Sequence, residues 1–149
     1  MKDLNSNDKH RGLMGAIQQL FTEKTLKSLK NLAPMKVSKV EKGVISIIIP
    51  ALNASNHLEN LLPSLNHQTY QKFEVIINND KKTSDNTKEI VNKYSKSFKI
   101  TLLQRDNHVT LGRQAASVYA KGEYLLHLDT DMKLSPQVLE QCIKKITDY

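Results

Sequence analysis

The sequence predicts an α/β domain with a mainly parallel sheet flanked by helices, and three features predict it. Short apolar runs alternate with helical patterns in the order β-α-β-α-β-α-β-α, the alternation that builds parallel sheets. The clearest run, Val44-Ile45-Ser46-Ile47-Ile48-Ile49-Pro50, is β-branched and apolar on both faces, as befits the middle of a covered sheet. A later run, Leu125 to Leu128, stops abruptly at Asp129-Thr130-Asp131, and the carboxyl ends of strands are where open parallel sheets bind ligands.

Taken in order, residues 1–12 are polar and aperiodic. From Leu13, an amphipathic pattern of Leu13, Ile17, Leu20 and Phe21, continued by Leu26 and Leu29, predicts a helix ending before Pro34. Lys24, Lys27 and Lys30 lie on its polar side. Such a helix packs on its own domain or a partner, or else lies on an anionic membrane surface through residues 13–30. Residues 34–43 read as a connector, so residues 1–43 form a helical extension and 44–149 the domain.

After the first strand, Ser55 or Asn56 is placed to cap a helix carrying Leu58, Leu61, Leu62 and Leu65, with Pro63 inside it. A second strand covers Phe73 to Ile77 and gives way to the polar run Asn78 to Asn86. A helix with Ile90, Val91, Tyr94 and Phe98 follows, then a third strand from Lys99 to Gln104 and a short helix from Leu111 to Ala120. Leu125 to Leu128 reads as a fourth, buried strand, with His127 a packed residue inside it. Ser135-Pro136 starts a last helix whose buried face is Val138, Leu139, Cys142, Ile143 and Ile146.

The 149 residues suffice for one domain with a real core. With 39% hydrophobic and 25% charged residues the chain is globular. No apolar run approaches the roughly 20 residues that cross a bilayer, and the start lacks the apolar core of a secretory signal. A single cysteine, Cys142, excludes an internal disulfide framework, so a cytoplasmic location is expected, at the inner face of a membrane if the first helix binds lipid. The net charge of +7 is spread from Lys2 to Lys145 without a long block or interleaved aromatics, which argues against nucleic acid as a partner.

Asp129 and Asp131, one residue apart at a strand end, suit a hard divalent cation that keeps waters and takes its other ligands from a phosphate. The same residues also suit a turn or a cap, which Asp favours. No Gly-rich phosphate loop is present, so phosphate binding would rest on a metal, basic side chains or helix ends. The histidines do not cluster in sequence into a site.

With these pieces placed, the sequence resembles the family 2 glycosyltransferases, nucleotide-sugar enzymes of the Rossmann-like GT-A fold, from about Val44 to Ile146. Ile47-Ile48-Ile49-Pro50-Ala51-Leu52-Asn53 resembles the family's first strand and proline turn, and Gln68-Thr69-Tyr70 precedes Phe73-Glu74-Val75-Ile76-Ile77 as in the family. Asp85-Asn86-Thr87 opens the second helix, Gly112-Arg113-Gln114 stands where Ala-Arg-Asn is usual, and Ala120-Lys121-Gly122-Glu123-Tyr124 leads into Asp129-Thr130-Asp131.

The resemblance implies that Pro50, Ala51, Asn53, Asn79, Asp80, Arg113 and Asp129 bind the nucleotide-sugar, a UDP-sugar in the first instance. It implies too that Asp129 and Asp131 hold Mn²⁺ or Mg²⁺ against its diphosphate. Arg113 either adds donors to a phosphate or pairs structurally, and Asp80 either accepts from the nucleoside or shapes its own turn. The loop after the second strand, Asn79-Asp80-Lys81-Lys82-Thr83-Ser84-Asp85, is one residue longer than the family's Asp-Asp-Gly-Ser-Thr-Asp.

In the family the general base lies in the second half of the domain, so no catalytic residue is assigned. The chain is expected to be an incomplete GT-A domain carrying the donor half, inactive alone. A missing C-terminal half or a partner chain is expected to supply the acceptor side. Two other readings stand beside this one: a nucleotide-sugar-binding or interaction module without turnover, and a haloacid-dehalogenase-like phosphatase. The last would want Thr where Lys133 stands and would carry its Asp pair on the first strand.

Overall fold

The computed structural model of the chain describes residues 39–105 and 109–148. The amphipathic pattern over 13–30 and the loop through Asn107 and His108 lie outside the described residues. Strands and helices alternate as the apolar runs predict: β1 (Glu41–Ala51), α1 (Ser55–Asn66), β2 (Phe73–Asp80), α2 (Thr87–Tyr94), β3 (Ile100–Arg105), α3 (Val109–Ser117), β4 (Gly122–His127) and α4 (Val138–Thr147). The four strands form one parallel sheet in the order β3-β2-β1-β4. Parallel neighbours need crossover connections, which α1, α2 and α3 supply.

The sheet's two faces are covered unequally. Ile45, Ile47 and Ile49 of β1 and Phe73, Val75 and Ile77 of β2 pack with Leu58, Leu61, Leu62 and Leu65 of α1, Val91 of α2 and Leu139 of α4. The opposite face holds Ile48, Ile76 and Ala116 of α3, with Leu103 and Ala120 at its margin. β1 and β2 are therefore buried on both faces, as their continuous apolar runs require.

β4 is an edge strand, and here the expectation of a buried strand is corrected. Tyr124 and Leu126 pack on the larger core, whereas Leu125, in register with Ser46, is 51% exposed, and His127, in register with Ile48, is exposed. Leu125 and His127 share the face that α3 covers over β1 and β2 but not over β4.

Two helix starts also differ from expectation. Neither Ser55 nor Asn56 caps α1: its N-cap is Ala54, without a side-chain cap. The free donors are met from across the chain, the Ala54 N–H by Thr87 Oγ1 and the Ser55 N–H by Asp85 Oδ2, both at 2.9 Å. At α4 the helix begins at Val138 rather than at Ser135-Pro136. Its Leu139 N–H donates to Gln68 Oε1 (3.1 Å), and Gln68 Nε2 donates to Ser135 O (2.8 Å). Both helices take caps from distant side chains, which satisfy the same orphan donors a local cap would. Ile146, expected in the buried face of α4, is 50% exposed.

At the amino end of the sheet a buried polar knot joins the strands. Glu74, 3% exposed, accepts from Ser46 Oγ (2.8 Å) and the Lys121 N–H (2.7 Å), and its Oε2 lies 2.6 Å from Lys99 Nζ. The Gly122 N–H donates to Ser46 Oγ (2.8 Å). A side chain at Gly122 would not fit, because a Cβ there would sit 2.5 Å from Val44 O and 2.8 Å from Ser46 N.

Candidate functional site at the carboxyl ends of the strands

In a parallel sheet every strand delivers its carboxyl end to the same edge, so residues distant in sequence meet there. Pro50 and Ala51 end β1 beside Asn78 and Asn79 of β2, their register partners. With β1 lying between β2 and β4, the ends of those two strands stand two strand spacings, roughly 10 Å, apart.

On the β2 side, Asn53 sits in the left-handed region at φ 48, a conformation asparagine tolerates better than most residues. Its Oδ1 accepts the Ser84 N–H at 2.8 Å, so the loops after β1 and β2 are tied together. Asn79, 1% exposed, accepts from Thr83 Oγ1 at 2.7 Å. The Asp80 side chain accepts the Lys82 N–H at 2.8 Å and its carbonyl the Thr83 N–H at 3.0 Å, so Asp80 does shape its own turn. β2 runs on to Asp80, three residues past the apolar run, because Asn78 and Asn79 are buried in the sheet.

Asp85 buttresses both loops. Its Oδ1 accepts from the Thr87 N–H (3.0 Å) and Thr87 Oγ1 (2.5 Å), while Oδ2 holds the Ser55 N–H. Partial burial alone would raise its carboxyl, but these donors from Thr87 and Ser55 hold it down to about 2. Reading Asp85-Asn86-Thr87 as a helix start found the residue but not its hold on α1, for which no local signal exists.

On the β4 side, Asp129 carries a side chain that is 61% exposed, and its carbonyl accepts the Met132 N–H (3.3 Å) in a turn through Thr130 and Asp131. Asp131 is exposed. Arg113, on α3, donates through Nη2 to Asp129 Oδ1, so of the paired readings for Arg113 the structure contains the ion pair. Among the described residues, Asn78 Oδ1 and Arg113 Nε are buried without a protein partner. Sequence reading placed Asn78 at the start of the polar run after the second strand and gave it no role; its burial within β2 is what the structure adds.

The donor set bears on metal binding. Among the described residues no group of three or more His, Cys, Asp or Glu side chains is arranged to hold a metal ion. Two exposed carboxylates on one turn fit a cation that completes its shell with phosphate oxygens and water. They do not fit a closed structural site.

The pattern of glycosyl transferase family 2 matches residues 46–149. The chain is 32% identical over 144 residues to a chondroitin synthase of Pasteurella multocida, covering 95% of this chain and 15% of that protein. It is 35% identical over 103 residues to a poly(ribitol-phosphate) beta-glucosyltransferase of Bacillus spizizenii, covering 64% of this chain and 16% of that one. Thus the chain spans under a fifth of the length of both relatives. Among solved structures, S. aureus TarS 1-349 in complex with UDP superposes with a TM-score of 0.64 at 28% identity, over 70% of this chain and 32% of that one. The mannosyltransferase PcManGT of Pyrobaculum calidifontis, in complex with GDP-Man and Mn²⁺, shares the fold at a TM-score of 0.61 and 18% identity, over 77% of this chain and 35% of that one. The alternating elements, the parallel sheet, the polar rim and these matches agree, and the chain belongs to glycosyl transferase family 2, with a GT-A fold.

Proposed function

We propose that this chain is the donor-binding part of a glycosyltransferase, taking a nucleoside-diphosphate sugar at the rim formed by the ends of β1, β2 and β4. The observation that carries the reading is that one sheet edge gathers a buttressed polar cradle, Asn53, Asn79 and Asp80, and an exposed carboxylate pair, Asp129 and Asp131. The nucleoside lies against the cradle and the diphosphate toward the pair. TarS, which is similar at 28% identity, was solved with UDP, which supports a UDP-sugar.

Asp129 and Asp131 hold Mn²⁺ or Mg²⁺ in this reading. A cation held there would supply positive charge to offset that on the departing diphosphate. The chain's own residues do the rest: Asn53 and Asp85 fix the two loops in place, and Arg113 governs the state of Asp129. Transfer also needs a base for the acceptor hydroxyl. The acids of this rim have other duties, Asp80 in its turn, Asp85 in the helix starts, Asp129 and Asp131 at the cation. We therefore assign the acceptor side and its base to further polypeptide, in the same chain or a partner. A nucleotide-sugar-binding module without turnover would use the same rim and is separated from the first reading by a transfer assay.

Calorimetry with UDP tests the reading. UDP binding is expected to depend on Mn²⁺, and Asp129→Ala to weaken it by at least about tenfold, since removing even an outer-shell partner of a metal costs that much. Metal-independent binding that Asp129→Ala leaves unchanged would sink it.

A further inference from the structure

We propose that Arg113 is an exchangeable counter-ion: it holds Asp129 while the site is free of metal, yields that carboxylate to a divalent cation, and then takes Asn78 as its partner. The inference rests on the metal-dependent reading above and adds a named switch to it. Arg113 Nη2 donates to Asp129 Oδ1 and so occupies an oxygen of the carboxylate that a divalent cation would need. The ion pair is open to solvent, with side chains 35% and 61% exposed, and exposed pairs are weak enough to be displaced.

The paired state also leaves something unmet. Arg113 Nε, a donor, and Asn78 Oδ1, an acceptor, are both buried without a partner, and Asn78 as a whole is 3% exposed. They belong to the same side of the sheet. Asn78 follows Ile76 by two residues along β2 and so shares its face. Ile76 packs with Ala116, one helical turn after Arg113 on α3. A buried donor and a buried acceptor left open on facing elements are costly apart and complementary together. Releasing Asp129 frees the guanidinium to turn toward Asn78, which satisfies both atoms. Asp129 then meets the incoming cation with no competing charge on its oxygen.

Mn²⁺ alone, titrated into the full chain and followed by the electron paramagnetic resonance signal of the free ion, is the first probe. Arg113→Gln is expected to bind Mn²⁺ about two- to fivefold tighter than the wild type, the range an exposed ion pair spans. Asn78→Val is expected to weaken Mn²⁺ binding, and to do nothing in the Arg113→Gln background. Arg113→Gln binding Mn²⁺ no tighter than the wild type overturns the exchange, while loss of binding in Asp129→Asn keeps the metal site itself intact. Asp129→Asn binding like the wild type overturns both. The second probe needs no variant of uncertain folding: the Arg113 Nε–H signal in nitrogen NMR of the wild type is expected to move when Mg²⁺ is added with UDP. A signal that stays in place overturns the proposal.

Discussion

The two ends of the sheet are both polar, but the amino end is closed and the carboxyl end is open. At the amino end a single carboxylate, Glu74, takes donors from Ser46, Lys121 and Lys99 and so ties β1, β2 and the approaches to β3 and β4. At the carboxyl end Asp129 is 61% exposed with one arginine on it, and two buried atoms have no protein partner. A saturated network has no valence left for a ligand and serves cohesion. An unsaturated one keeps donors and acceptors for something that arrives later. Glu74 is saturated and serves cohesion, whereas Asp129 keeps room for a ligand, and what separates the two is how many of their bonds the fold completes.

The comparison can be broken most forcefully at Glu74. Glu74→Ala strands a buried hydroxyl and a backbone N–H, while the half-exposed Lys99 returns to water, and is expected to lower stability by about 2 to 3 kcal/mol in urea unfolding. A loss below about 1 kcal/mol, the range of a surface pair, would show that the amino end is not closed. An intermediate effect is expected at Asp85, which stands at the rim but is saturated: Asp85→Asn is expected to cost about 1 kcal/mol at neutral pH through the starts of α1 and α2.

The pH dependence sharpens this. Burial opposes ionisation of Glu74, but Lys99, the Lys121 N–H and Ser46 outweigh it and hold the carboxyl below its ordinary 4.5. Asp85 falls from 3.8 to about 2. A depressed carboxyl binds fewer protons folded than unfolded, so its stabilisation is full above the unfolded value and is lost as pH falls through the folded one. The gap between wild type and Asp85→Asn should therefore close between pH 3.8 and about 2, read from melting temperatures across that range. The smallest stability effect belongs to the open end, where Asp129→Asn is expected to change unfolding free energy by less than about 0.5 kcal/mol. A larger loss would make Asp129 a structural residue.

Much of this architecture is legible in the residues. The β-branched run Val44–Pro50 announces a strand covered on both faces, and β1 lies inside the sheet. Leucines at helical spacing announce α1, and all four are buried. The β4 strand shows the limit: Leu125 and Leu126 are adjacent and chemically identical, yet one is exposed and the other packs on the core. The difference is made by α3, which covers β1 and β2 and leaves that side of β4 bare, and nothing in the run itself encodes where α3 lies. The caps behave alike. Ser55 and Ser135 have the right chemistry, but Asp85 and Gln68 reach the helix starts from about thirty and seventy residues away.

By itself the sequence determined the order of strands and helices, the parallel sheet that follows from it, and the residues that would stand at strand ends, because periodicity and strand termination are local properties of the chain. Only the tertiary structure decided that Asp129 meets Arg113, that Asn78 and Arg113 each keep a buried atom unpaired, and that Glu74 and Asp85 rather than Asp129 carry saturated networks. Those outcomes depend on which side chains converge across the sheet, and convergence is a property of packing in three dimensions that no stretch of residues holds alone.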